Sequence, residues 1–239
     1  MSFKLGKHSS SQFTHEMEAI RSGLLHMGGL VEKQVRDALE SFLHGDSALA
    51  EQVLHLEQQV DQLEKHIDEE CARVLALRQP AAIDLRTIIA VSKCVADLER
   101  MGDKAAKIAS IGIQLNEEGS LSIGQVEVRH LGERVHSMLH DALDAFARFD
   151  AHKAVAVTVA DDDVDAEYHS AMRSLVTFMM EDPRAITRVL KLMSVFRALE
   201  RIGDHCGNLC EQVVYLVSGE DVRHLSADEM WALLGPPAP

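Results

Sequence analysis

The sequence predicts an all-α protein made of two tandem, repeated three-helix bundles, one in residues 1–118 and one in residues 119–239, the latter with a short C-terminal extension. Composition is the first reason. Aromatic residues are 4% of the 239 and Pro occurs 5 times, while Ala, Leu, Val, Met and charged residues dominate. β-rich domains need aromatic and β-branched runs punctuated by turns, so this balance favours helices. Repetition is the second. Asp37-Ala-Leu39-x-x-Phe42 recurs as Asp141-Ala-Leu143-x-x-Phe146, Asp46 as Asp150, and Val60-Asp61 as Val164-Asp165, all at one offset. Leu98-Glu-Arg-Met-Gly-Asp103 recurs as Leu199-Glu-Arg-Ile-Gly-Asp204 at an offset three residues shorter. That change puts a three-residue deletion between the second and third helices of the second copy. The natural reading is a duplicated structural unit.

Apolar periodicity and breakers supply the elements in order. Helical spacing runs from about Phe13 to Leu43, and Gly45-Asp46 provides a C-terminal stop followed by an N-cap. A second stripe (Val53, Leu56, Val60, Leu63, Ile67, Val74) ends near Arg78, where Gln79-Pro80 breaks it. Pro80 suits the first turn of a third helix carrying Val91, Val95, Leu98, Ala105 and Ala109. After the Gly- and Ser-bearing linker Asn116–Gly124, the second copy begins near Val126, turns at Asp150 and at Asp182-Pro183, and runs to about Val217. Ser226-x-x-Glu229 reads as a capping box for a short helix with Trp231, stopped by Gly235-Pro236. Short connections make successive helices antiparallel.

Charge and composition narrow the function. A net charge of −14 argues against nucleic acid, whose phosphates need a basic surface, and against docking on an anionic membrane. It suits a cation binder or a basic protein partner. The opening MSFKLGKHSS has no apolar core of a signal sequence, and no stretch approaches 18 uninterrupted apolar residues. The expectation is a soluble, cytoplasmic protein without membrane insertion. Cys71, Cys94, Cys206 and Cys210 form no CxxC pair and read as buried, reduced core residues, although Cys206 and Cys210 share a helix face.

The chemistry lies in four carboxylate pairs at i, i+4: Glu57/Asp61, Glu99/Asp103, Asp161/Asp165 and Glu200/Asp204. Each pair spans about 6 Å of one helix face. Folding the first hairpin about Pro80 sets Glu57 level with Asp103 and Asp61 level with Glu99. Folding the second between Asp182 and Pro183 sets Asp161 level with Asp204 and Asp165 level with Glu200. Both centres coincide with the Pro breakers. Each acid also follows a core-stripe position by one residue, about 100° of rotation, so four acids per copy fall on one flank. Single acidic pairs usually belong to solvated flanks. Here four like charges face each other across one interface, twice, and they repel unless a cation or protons compensate. Gly102 and Gly203 fit close helix approach at these levels, since a helix-interior glycine costs about 1 kcal/mol. All-carboxylate ligation suits magnesium, manganese, iron or calcium. His205, next to Asp204, and His169, one turn beyond Asp165, would move the choice towards zinc or nickel if they joined.

At these residues the sequence resembles the PhoU family. Leu98-Glu-Arg-Met-Gly-Asp-Lys and Leu199-Glu-Arg-Ile-Gly-Asp-His are similar to its Leu-Glu-Arg-Ile-Gly-Asp signature. Ile67-Asp-Glu-Glu-Cys71, Leu77-Arg-Gln-Pro80 with Asp84-Leu-Arg86, and Met180-Glu-Asp-Pro-Arg184 also look like family segments. The resemblance runs from about residue 15 to 220, in order and in both repeats. It implies metal clusters on E(D)xxxD motifs, which map onto the four pairs. It also implies a cytoplasmic negative regulator of the phosphate-starvation response, acting with the phosphate ABC transporter and its sensor histidine kinase. A homodimer and no catalysis are expected. The usual Asn and Glu after the signature correspond to Asn208 and Glu211 in the second copy but to Lys107 and Ser110 in the first. A lysine one turn from Asp103 would partly replace a cation, so the second site is expected to bind metal more tightly. Two other classes compete. A di-iron carboxylate enzyme needs two ExxH motifs, and only Glu133-x-x-His136 is present, on a different helix. A metal buffer or scaffold shares the acidic sites but lacks the signalling partners.

Overall fold

The computed structural model describes residues 11–119 and 123–235. Residues 1–10, part of the linker (120–122) and Pro236 of the C-terminal stop lie outside the described residues. Six long helices and one short one follow each other: α1 (Ser11–His44), α2 (Ser47–Arg78), α3 (Ala82–Glu117), α4 (Gln125–Arg148), α5 (Ala151–Glu181), α6 (Ile186–Ser218) and α7 (Ala227–Leu234). Among the described residues there is no strand. No helix among them is long and apolar enough to cross a membrane.

The two copies are closed by the same local devices. Asp46 and Asp150 accept hydrogen bonds from Leu49 N and Lys153 N, each at 3.0 Å, and so cap the second helix of each set. Ser226 and Glu229 form the reciprocal capping box that starts α7. The three-residue deletion falls in the hairpin turn. Gln79, Pro80 and Ala81 connect α2 to α3, whereas α5 gives way to a 3-10 turn, Pro183–Ala185, that runs straight into α6. Pro80 itself is ahead of α3 rather than inside its first turn. Gln79 closes α2 in the left-handed region at φ 46°, and the chain then needs extended Ala81 before the helix can begin.

Helices α1–α3 and α4–α6 form two three-helix sets joined along α3 against α6 and α1 against α4. Their apolar stripes merge into one continuous core. Both inter-set pairs run antiparallel. Arg86 of α3 reaches Gly219 at the end of α6, while Lys191 Nζ near its start meets Glu118 Oε1 at 2.7 Å. Along α1 and α4 the packing is reciprocal: a Cβ on Gly28 would collide with Leu143, and one on Gly132 would collide with Leu39. Gly132 is the repeat counterpart of Gly28, and Leu143 that of Leu39. Duplication has therefore produced an internal two-fold contact in which each copy inserts a leucine against the other's glycine.

Candidate metal centre

In the second set, Asp165 on α5 and Glu200 and Asp204 on α6 bring one oxygen each within 4.8 Å of the others. Asp161, one turn before Asp165, lies deeper. Its Oδ1 is buried without a hydrogen-bond partner. Burial, and then the charges of Asp204, Asp165, Asp162 and Glu200, push its carboxyl up to about 7. Glu200 is raised too, by burial first and Asp204 second, with Arg201 opposing. Its Oε2 also lacks a hydrogen bond, although Arg201 Nε is 3.4 Å away. Arg201 pairs more closely with Asp204 Oδ2, at 2.7 Å.

The first set is built alike but compensated differently. Burial pushes the Glu57 carboxyl up to about 7, Gln34 pulls it down by hydrogen bonding, and Asp103 and Asp61 push it up again. Gln34, fully buried on α1, donates through Nε2 to Glu57 Oε2. Glu57 Oε1 has no partner. Glu99 is raised by burial, Asp103, Glu64 and Asp61. Among the described residues, no three carboxylates of this set draw as close as Asp165, Glu200 and Asp204.

The glycines answer to the acids. A Cβ on Gly203 would lie 2.9 Å from Asp161 Oδ1, and one on Gly102 would lie 3.0 Å from Gln34 Oε1 and 3.4 Å from Glu57 Oε2. Each glycine on the third helix leaves room for the innermost carboxylate of the second. Close approach is thus used for polar groups as well as for leucine side chains.

Neither histidine enters the cluster. His205 Nδ1 sits 2.9 Å from Asp97 Oδ1, across the α3–α6 interface. Adjacency to Asp204 in sequence is about 100° around the helix, enough to face α3 instead of α5. His169 is exposed, its ring tilted against that of Tyr168. Lys107 forms no ion pair with Asp103 among the described residues; it lines the α3–α6 interface. All four cysteines are buried and free, and burial pushes the Cys71 thiol up to about 12 and the others up as well. They are poor thiolate ligands.

Three residues contribute that the sequence pattern did not single out: Gln34, Glu64 and Asp97. Glu64, one turn beyond Asp61, is raised by burial, Asp68 and Asp61. An amide inside the apolar stripe Val31, Val35, Ala38 was the available signal for Gln34. The donor set is all oxygen, crowded with like charge, and holds buried carboxylate oxygens with no hydrogen-bond donor. That chemistry fits a hard or borderline cation.

Comparison with known proteins identifies the family. The model of the PhoU domain matches residues 24–112 and 128–213, one match per three-helix set. The chain belongs to the PhoU family. A Pseudomonas putida protein named phosphate-specific transport system accessory protein PhoU homolog is 57% identical over 228 residues, covering 95% of this chain and 89% of that one. The Escherichia coli K12 PhoU of the same descriptive name is 44% identical over 233 residues, covering 98% and 96%. The crystal structure of PhoU from Pseudomonas aeruginosa superposes with a TM-score of 0.86 at 58% identity, covering 87% of this chain and all of that one. The Streptococcus pneumoniae phosphate transport system regulatory protein PhoU gives 0.81 at 32% identity, covering 88% and 99%. Two PhoU domains in tandem account for the repeat seen in the sequence.

Proposed function

We propose that this protein is a metal-binding negative regulator of phosphate uptake and of phosphate-starvation signalling, acting in the cytoplasm by contact with the phosphate ABC transporter and its sensor histidine kinase. The observation that carries the phosphate part is near-full-length similarity to proteins named accessory proteins of the phosphate-specific transport system. The observation that carries the metal part is the convergence of Asp165, Glu200 and Asp204, with Asp161 orphaned beside them.

In this reading Asp161, Asp165, Glu200 and Asp204 hold one divalent or trivalent ion (magnesium, manganese or iron), and Glu57, Asp61, Glu99 and Asp103 hold another more weakly. The ion supplies positive charge where four carboxylates meet, joining the two helices of each hairpin without a catalytic step. Homodimerisation would double the surfaces offered to partners.

Partner contact finds support in where apolar surface is left. Apart from Val126 and Val159, the exposed large apolar side chains among the described residues flank the two hairpin turns: Leu75, Leu77 and Ile89 at one, Val176, Met180, Ile186 and Leu190 at the other. The antiparallel α3–α6 pair sets these tips at opposite ends of the molecule.

Deleting the gene tests the regulatory reading. Phosphate-starvation genes are expected to stay expressed in phosphate-rich medium. Normal repression in that strain, with no second copy of the gene present, would overturn it and leave a metal-binding scaffold as the better description.

A further inference from the structure

The α3–α6 interface also carries a surface of the opposite charge. A groove of about 510 Å³ lies between the two helices, with Arg100, Lys104 and Lys107 on one wall and Arg197, Arg201 and His205 on the other. Ser194 and Ala198 are its remaining lining, so no carboxylate faces it. This is unexpected in a chain of net charge −14. Arg201 is tied to Asp204, and His205 to Asp97. Among the described residues, Arg100, Lys104, Lys107 and Arg197 have no ion-pair partner.

The internal two-fold explains how the groove arises. On one side of the α3–α6 contact, Asp97 Oδ1 lies 2.9 Å from His205 Nδ1 and accepts from Asn208 Nδ2 at 3.1 Å, which closes the interface. The repeat counterparts of Asp97, His205 and Asn208 are Ala198, Lys104 and Lys107. On the other side, then, a methyl group replaces the acid and two cations replace its partners. What is a satisfied polar contact in one half is an open set of positive charges in the other. Like charges held together on rigid helices cost free energy unless an anion joins them, and a concave site focuses their potential.

We propose that this groove binds a condensed-phosphate anion, one carrying at least two linked phosphates. Successive turns of α3 present Arg100, Lys104 and Lys107 over about 10 Å. A single orthophosphate meets only part of that length, whereas a chain of phosphates spans both walls. Guanidinium groups match phosphate oxygens in paired hydrogen bonds, and lysines add point charges. An acidic helix from a protein partner is a poorer fit. It needs a trough about 10–12 Å wide with apolar anchors, and Ala198 is the one apolar side chain here. No Phe, Tyr or Trp lines the groove to stack on a nucleobase, and the His205 ring is held by Asp97, so phosphates carry the recognition. The site adjoins the carboxylate cluster through Arg201, which pairs with Asp204, whereas Arg100, Lys104, Lys107 and Arg197 make no ion pair with it among the described residues.

Isothermal titration of the intact protein with sodium tripolyphosphate tests this, with a chelator present so that no metal bridges the ligand to the acidic cluster. One ion per chain is expected, binding more weakly as salt is raised. Lys104→Ala with Arg197→Ala should weaken binding by at least about tenfold. Arg129→Ala with Arg173→Ala removes the same charge from exposed positions of α4 and α5 and should leave it within about twofold, the residual long-range effect of exposed charges being largely screened. Lys107→Glu, an exposed change that spares the core, gives a second disabled groove if the first variant melts early. ATP should bind no more tightly than tripolyphosphate, and orthophosphate much less tightly. Absence of binding, equal loss in the charge-matched control, or orthophosphate binding as tightly would overturn the proposal. So would a glutamate-rich peptide that binds as tightly as tripolyphosphate, because the groove would then be a protein-docking surface.

Discussion

The two acidic sites descend from one unit, and they have solved the same electrostatic problem differently. In both, the innermost acid of the second helix, Glu57 or Asp161, is lodged against a glycine of the third and is pushed up to about 7 chiefly by burial. The first site answers with a neutral donor, Gln34. The second has buried Met138 at the corresponding repeat position, which cannot donate, and leaves Asp161 Oδ1 without a partner. Its outer acids are tethered by Arg201, whereas Arg100, the counterpart in the first site, turns to the groove on α6. A charged site can be held together by an internal hydrogen bond or by an outside ion. The copy lacking the internal donor is the one in which three carboxylates bring oxygens within 4.8 Å of one another.

The largest effect expected from this difference is on metal uptake. Glu200→Ala with Asp204→Ala should abolish binding at the second site, measured as divalent metal per chain after dialysis or as lost anomalous signal at Asp161 and Asp165. The metal-free variant should melt no lower than the parent, because removing mutual repulsion offsets the lost contacts. Glu99→Ala with Asp103→Ala should change metal content much less. Equal losses in the two variants would show that Gln34 does not distinguish the sites, and unchanged metal in the first variant would dismiss the assignment.

Hairpin geometry was legible in the sequence because it needs only the breaker positions and a count. Pro80 and Pro183 fix the levels at which Glu57 meets Asp103 and Asp161 meets Asp204, and one residue of rotation fixes the flank. Anything set by a third helix was not legible in that way. Gln34 reaches Glu57 from α1, whose rotation against the α2–α3 hairpin is decided by packing. Asp97 meets His205 across the contact between the repeats, which no hairpin rule constrains. His205 stays out of the cluster and hydrogen-bonds Asp97 instead, because neighbours in a helical sequence face different helices. Pro80 lies outside α3 because Gln79 caps α2 and the N-cap of α3 falls on Ala81, which the pattern had placed inside the helix.

Gln34→Met sharpens the comparison from the other side. It gives the first site the residue type found in the second and removes the donor from Glu57. Leaving a buried polar group short of a partner costs about 1–3 kcal/mol, and the half-exposed Glu57 should place the loss at the low end. The metal-free variant is expected to melt earlier than the parent, with the deficit recovered on adding manganese. A variant that melts like the parent, with no response to metal, would mean the amide is a spectator.

The glycines separate metal binding from stability. Replacing a helix-interior glycine by Ala gains about 1 kcal/mol of propensity. At Gly203 the new Cβ would sit 2.9 Å from Asp161 Oδ1, the end of a side chain that can swing away. Gly203→Ala should therefore melt at or above the parent's temperature while its metal affinity falls several-fold. At Gly102 the neighbour is Gln34 Oε1 at 3.0 Å, in a side chain with no exposure. Strain there offsets the propensity gain, so Gly102→Ala should change melting little and metal content little. A fall in metal affinity confined to Gly102→Ala would reverse the ranking of the sites.

The smallest effect is on pH dependence. Glu57 and Asp161 have folded-state values of about 7, above their ordinary values of 4.5 and 3.8. Between the ordinary and raised values the folded protein binds more protons than the unfolded chain, so stability falls as pH rises through that window. In chelator, the melting temperature should be higher near pH 5 than near pH 8. Half-exposure of both groups and solvent screening keep the difference modest. A bound cation competes with those protons, so saturating manganese should flatten the slope or reverse its sign. Asp161→Asn and Glu57→Gln divide the effect between the sites. Asp161 is displaced further from its ordinary value, so Asp161→Asn should flatten the chelator profile more than Glu57→Gln does. A chelated protein whose melting temperature is level or rising from pH 5 to 8 would show that the buried carboxylates are relieved by something other than protons.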